Sequence, residues 1–180
     1  IPDRPIRQSQ LIMPSPITGV ALKDNLLFLA ANDSGLTTVD ITDKANPLVI
    51  STERFSGLLV NDVAIENRNN VLAMSIADPL GGGYVRFVDL TTENRLVPAG
   101  FNTIIFADLD NDPSVLQGQP LDVAWFDQNL YVLHKSGIKL LLSIFDENFN
   151  YKTHELSSDG SGSLDEYSIH IELGQIHLAL

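Results

Sequence analysis

The sequence predicts an all-β fold, and three observations carry that reading. Apolar residues come in short runs of four to seven, such as Leu26-Leu27-Phe28-Leu29-Ala30 and Leu130-Tyr131-Val132-Leu133. Asn, Asp, Gly and Pro break these runs at intervals of about ten residues, which is the turn chemistry of short strands. No stretch holds a 3.6-residue period for three turns; the longest helix candidate, 62–75, is interrupted by Asn67, Asn69 and Asn70 and is better read as a hairpin.

Composition sets the bounds. A length of 180 residues suits one ordinary domain with a buried core. An apolar fraction of 44% and a charged fraction of 19% argue against disorder. A net charge of −12 argues against nonspecific attraction to nucleic acid or to an anionic membrane. No apolar run approaches the length of a membrane-spanning helix, so no membrane insertion by that route is expected. Without cysteine there is no disulfide framework, thiolate zinc site or cysteine nucleophile.

Internal repetition narrows the fold. A strand, tight turn, strand pattern starts at Gly19-Val20-Ala21-Leu22, at Asp62-Val63-Ala64-Ile65, at Asp122-Val123-Ala124-Trp125 and at Ser168-Ile169-His170-Ile171. A third strand follows in 35–41, 84–90 and, less similar, 137–143. A fourth is expected in 48–52, 95–99 and 150–155. Four antiparallel strands per repeat is the blade of a β-propeller. The expected blades cover about 15–56, 57–105 and 116–157, with a truncated one at 162–180, which makes a partial propeller of three and a half blades. Insertions at Asp78–Gly83 and near Asn102–Gln119 account for the longer middle step. One further strand is possible near Arg7–Met13. A β-sandwich of similar hairpins is the alternative.

Residues 26–50 resemble the LVIVD-repeat family: a strand, the turn at Gly35-Leu36, a strand ending in Val39-Asp40, and a loop reaching Pro47. Lys44 stands where that family's first loop proline falls. Val88-Asp89 repeats the signature without either proline. The resemblance implies a propeller of secreted or cell-surface bacterial proteins, often in long multidomain chains, and no catalytic residues. Within it, Gly35 permits a tight turn, and Asp40 is expected to accept backbone N–H bonds at the strand end.

The sharpest chemical candidate is the acidic loop Asp108, Asp110 and Asp112. Carboxylates at alternate positions are how the first half of an EF-hand addresses calcium. Pro113 at position six and Gln119 at position twelve depart from that pattern, so a calcium site competes here with a solvated acidic loop. Of the four histidines, His170 and His177 fall on neighbouring strands of one hairpin, without a third ligand to suggest zinc. His134 has no nucleophile-elbow serine in its sequence context. Gly81-Gly82-Gly83 precedes a strand rather than a helix, so it reads as a hairpin loop and not a phosphate cradle. Trp125, Tyr84 and Tyr167 are the aromatics available for stacking, with Trp125 alternating inward beside Val123. Asp62 and Asp122 occupy equivalent places in two repeats and are the one hint of a polar group at a central channel.

These features favour a noncatalytic propeller segment of a larger secreted or cell-surface protein, serving protein interaction or architecture. No cofactor is implied beyond the possible calcium. The partner would be another protein or the remainder of the propeller. A propeller enzyme, such as a calcium-assisted lyase or hydrolase, and a carbohydrate-binding module are the alternatives. Ile169, Ile171, Ile176, Leu178 and Leu180 alternate as one apolar face, and an isolated hairpin of two strands is marginal in water. The last hairpin is therefore expected to pair outside these 180 residues or with another copy.

Overall fold

A computed structural model of the chain describes residues 7–91, 97–107, 116–157, 168–172 and 175–179. Among these the fold is all-β. The first sheet is β1 (Gly19–Lys23), β2 (Leu26–Ala30), β3 (Leu36–Asp40) and β4 (Leu48–Glu53), in sequence order. The second is β5 (Leu59–Glu66), β6 (Val71–Ala77), β7 (Gly83–Asp89) and β8 (Val97–Ala107), extended by the short parallel strand β9 (Leu116–Gln117). The third is β10 (Gln119–Phe126), β11 (Asn129–Ser136), β12 (Lys139–Phe145) and β13 (Tyr151–Ser157), and a hairpin of β14 (Ser168–Glu172) and β15 (Gln175–Ala179) follows. Sequence neighbours pair antiparallel throughout each four-stranded set.

The sheets stack in chain order, the first strand of each lying against the first strand of the next. Each sheet then has a forward face toward its successor and a rear face toward its predecessor. Phe28, Ala30 and Leu36 on the first sheet's forward face meet Val63, Leu72, Met74 and Val88 on the second sheet's rear face. Ala73, Val85, Phe87 and Phe106 on the second sheet's forward face meet Val123, Leu130, Val132 and Phe145 of the third. Leu133, Leu140 and Leu142 then pack with Ile169 of the hairpin. The alternation of period two in every strand separates these two apolar faces.

Register makes the repeat quantitative. Gly19 pairs with Ala30, Asp62 with Ser75 and Asp122 with Leu133. Stepping outward from these pairs aligns Leu27 with Leu72 and Leu130, and Val39 with Val88 and Phe145. Bulges recur too: the register shifts between Val60 and Asp62 and again between Pro120 and Asp122. A bulge re-aims the side chain that follows it, and here that side chain is the aspartate.

The structure corrects three details. The third repeat aligns Leu141, not Gly137, with Gly35, because β11 and β12 stay paired down to Ser136 and Lys139, beyond the point equivalent to Ala30 and Leu36 where β2 and β3 part. The second sheet's last strand continues to Ala107, so part of the expected insertion is strand, made possible by a bulge between Arg86 and Val88. Residues 7–13 form no strand; they cross the rear face of the first sheet as an irregular strap. The Gly81-Gly82-Gly83 loop does turn the chain, with positive φ at all three positions.

Candidate functional site

The aspartates that follow the two bulges form the most unusual polar feature among the described residues. Asp62 Oδ2 accepts the N–H of Val123, 3.1 Å away on the next sheet. Asp122 Oδ2 accepts the N–H of Ile169 at 2.6 Å, on the hairpin beyond. Val123 and Ile169 are equivalent positions, so one tie is used twice, at successive junctions. Burial first, then the hydrogen bond and charge of the Asp122 carboxyl, hold the Asp62 carboxyl well above the usual carboxylate range. Two carboxyls in hydrogen-bonding reach of each other favour holding a proton between them.

Gly19 completes the arrangement. A Cβ at this position would overlap the Asp62 carboxylate and press on its Cα, so the glycine serves space rather than φ. A second set of ties runs one residue earlier in the repeat. Thr18 Oγ1 donates to Val60 O at 3.2 Å, and Asn61 Nδ2 donates to Pro120 O at 3.0 Å. Thr18 and Asn61 are equivalent, as are Val60 and Pro120. Leu121 stands at the third such position and has no polar group to offer. Ser75 Oγ instead donates to its carbonyl at 3.2 Å.

A pair of carboxyls sharing a proton is competent for general acid–base work. In this setting each carboxylate already spends an oxygen on a backbone N–H of the following sheet. The geometry is that of a structural tie between sheets.

His134 is the second buried polar cluster, and the sequence did not show its partners. It is 1% exposed, with Nδ1 2.8 Å from Gln117 O and Nε2 2.9 Å from Ser143 Oγ; Ser143 Oγ lies 2.7 Å from Thr153 Oγ1. A carbonyl only accepts, so Nδ1 carries the proton and Nε2 is the acceptor. Ser143 therefore donates to Nε2 and receives from Thr153. Burial lowers the His134 pKa to about 4, against the opposing bond to Gln117. A histidine and a serine in contact evoke a nucleophile, but Ser143 is fully buried and no substrate reaches it. The chain of bonds cross-links β11, β12 and β13.

The repeat's loop aspartates behave as the sequence led one to expect. Asp40 Oδ1 accepts the N–H of Thr42 at 2.7 Å, and Asp89 Oδ1 that of Thr91 at 2.8 Å. Asp146 Oδ1 does the same for Asn148 at 2.9 Å, which restores the strand-end aspartate to the third repeat, where the sequence alignment had missed it. Hydrogen bonds from Thr42, Thr91 and Asn150 respectively hold these three carboxyls below the usual range.

Other candidates are placed as follows. Asp108, Asp110 and Asp112 lie outside the described residues, as does Tyr167. Among the described residues no group of three or more His, Asp or Glu side chains could hold a metal, and no helix is long and apolar enough to cross a membrane. His170 and His177 are cross-strand partners in the hairpin register. Trp125 packs 6.3 Å from Phe87 between centroids, and its buried Nε1 finds no acceptor among the described residues. Tyr84 lies near an inter-sheet cluster in which Arg86 pairs with Glu53 at 3.1 Å and sits 5.4 Å over the Phe55 ring. Burial raises the Tyr84 pKa, with Arg86 opposing.

No protein-family model matches the chain, and no curated protein matches it. Solved structures do share its fold. The computationally designed Ika4 protein is similar at 14% identity and a TM-score of 0.55, covering 97% of this chain and 98% of its own. The computationally designed Ika8 protein is similar at 14% identity and a TM-score of 0.54, over 93% of this chain but only 46% of its own. The chain thus spans nearly all of one designed protein and about half of the other. At these identities the likeness concerns the fold alone.

Proposed function

We propose that this chain is a noncatalytic β-propeller segment, of the LVIVD-repeat kind, from a larger secreted or cell-surface protein, and that it serves protein interaction or architecture. The observation that carries the reading is the repeated junction: carboxylate to backbone N–H at Asp62–Val123 and again at Asp122–Ile169. Four-stranded sheets stacked through their first strands in register are how blades succeed one another. The polar groups that an enzyme reading would enlist are occupied as ties. That a comparable fold covers one designed protein whole and half of another fits an extensible repeat.

The test is an experimental structure. The strands β1, β5, β10 and β14 are expected to surround one axis, with β4, β8 and β13 outermost. Two face-packed sheets of a sandwich would overturn the reading. Turnover of a polysaccharide that is lost in Asp62→Asn while the fold is kept would replace it with the enzyme reading.

A further inference from the structure

We propose that a cavity between the strap and the first sheet is a binding site for a small organic carboxylate with an apolar body, anchored by the Arg54 guanidinium. The cavity measures about 430 Å³, which is in the range of small-molecule sites. The strap closes one side of it with Ile12, Met13 and Pro14. The other side carries the hydroxyls of Ser34, Thr37 and Thr52 and, just past β4, Arg54. Ser15 fixes the strap here, its Oγ 2.5 Å from Asp33 Oδ1 and 2.6 Å from Ser34 Oγ.

Register shows what this place does in the other sheets. Thr37 pairs with Leu29 as Arg86 pairs with Met74 and Ser143 with Val132, so the three are equivalent. Each stands opposite a threonine of the outermost strand, Thr52, Thr103 and Thr153. In the second sheet Arg86 takes the Glu53 carboxylate of the preceding sheet at 3.1 Å. In the third, Ser143 bonds His134, whose Nδ1 donates to Gln117 O on β9 at 2.8 Å. The place thus receives an acceptor oxygen from the preceding element in two sheets. Before the first sheet comes the strap, and the side chains of Ile12, Met13 and Pro14 carry no oxygen.

Charge selects an anion as the occupant. Acidic residues outnumber basic ones by 23 to 11, yet no carboxylate lines this cavity. Asp33 is engaged by Ser15 and is not among the lining side chains. A neighbouring cavity of about 480 Å³, which shares Met13, is lined by Lys44 and again by no carboxylate. Arg54 is exposed and forms no ion pair among the described residues. A guanidinium fork matches a planar carboxylate in two parallel hydrogen bonds. The Thr52 hydroxyl adds a donor beside it, and the strap's apolar side chains face the rest of the ligand.

Amide chemical shifts of the 180-residue chain, followed as hexanoate is added at constant pH and ionic strength, test this. Saturable shifts are expected at Thr37, Val49 and Thr52. Hexanol, with the same carbon chain and no charge, should bind about tenfold or more weakly, and Arg54→Gln should weaken hexanoate by a similar factor. Arg54 is exposed, so the melting temperature should hold in that variant; Thr52→Val, which removes one donor, gives a second. The proposal is overturned if hexanoate gives no saturable shift, if hexanol binds as tightly, or if Arg54→Gln binds as before. Inorganic phosphate binding as tightly as hexanoate also overturns it, since the apolar wall would then contribute nothing. None of these results touches the propeller reading, which is tested by the arrangement of the sheets.

Discussion

The junction between the first and second sheets and that between the second and third perform the same task with different chemistry. The first is aliphatic, built on Leu36, Leu72, Met74 and Ile76 around Phe28, and tied by the Thr18 hydroxyl. The second is aromatic, with Phe87, Phe106, Phe145 and Trp125, and is tied by the Asn61 amide and the Asp62 carboxyl. His134 also belongs to the second, its ring 4.9 Å from that of Phe106 and set edge-on. Glycine at 19 leaves the first junction without a buried carboxyl tie, its ion pair of Glu53 with Arg86 being partly exposed. The pH response of the molecule therefore concentrates at the second.

Packing gives the largest expected effect. Phe87→Ala should cost about 3–5 kcal/mol, because Phe87 is buried and holds Trp125 and Phe149, the latter at 5.4 Å. Urea denaturation measures it. A cost below about 1 kcal/mol would mean that the aromatic junction relaxes as freely as a surface.

Acid comes next. His134 titrates at about 4 when folded and near 6.5 when unfolded, so the unfolded chain takes up the proton first. Its contribution is complete above 6.5 and is lost as pH falls toward 4, amounting to about 3 kcal/mol. Asp62 has the opposite sign. Its folded pKa is raised, so its contribution is complete below the unfolded carboxylate range and declines as pH rises through the folded value. His134→Gln, which keeps a donor and an acceptor, should flatten the limb between 6.5 and 4 in a series of melting curves. If the limb persists, His134 is not its source.

Asp122→Ala removes the acceptor of the Ile169 N–H and should cost about 1–3 kcal/mol. Faster amide exchange at Ile169, with little change on β2 or β6, would place the loss at the third junction. Asp62→Asn is gentler. The amide oxygen still accepts from Val123 and the amide donates to Asp122, while no buried charge remains. It should leave stability unchanged at acid pH and raise it near pH 7, by up to about 1 kcal/mol or a few degrees. A loss at pH 7 would show that Asp62 is needed as a carboxylate.

Much of the fold was legible because its signals are local. Strand alternation, turn residues and the strand-end aspartates at 40 and 89 depend on neighbours a few positions away. The third repeat slipped by four residues because β11 and β12 stay paired further toward their turn than β2 and β3 do, which changes spacing without changing composition. The equivalence of Asp62 and Asp122 was visible, but their role was not, since each acceptor reaches an N–H 61 or 47 residues further on. His134 and Ser143 meet across two paired strands, and no spacing rule singles them out.

Calcium should produce the smallest effect. Asp108, Asp110 and Asp112 supply three hard oxygens at alternate positions, whereas a calcium ion takes six to eight. Pro113 and Gln119 withhold the sharp turn and the bidentate carboxylate that an EF-hand uses. A site with millimolar affinity adds only about 0.4 kcal/mol at a calcium concentration equal to its dissociation constant, since the gain is RT ln 2. On a chain of this size that moves the melting temperature by about 1–2 °C. Millimolar calcium is therefore expected to shift the melting curve by no more than this, and Asp110→Asn to leave it where it was. A larger rise that Asp110→Asn removes would make the loop a calcium site in its own right.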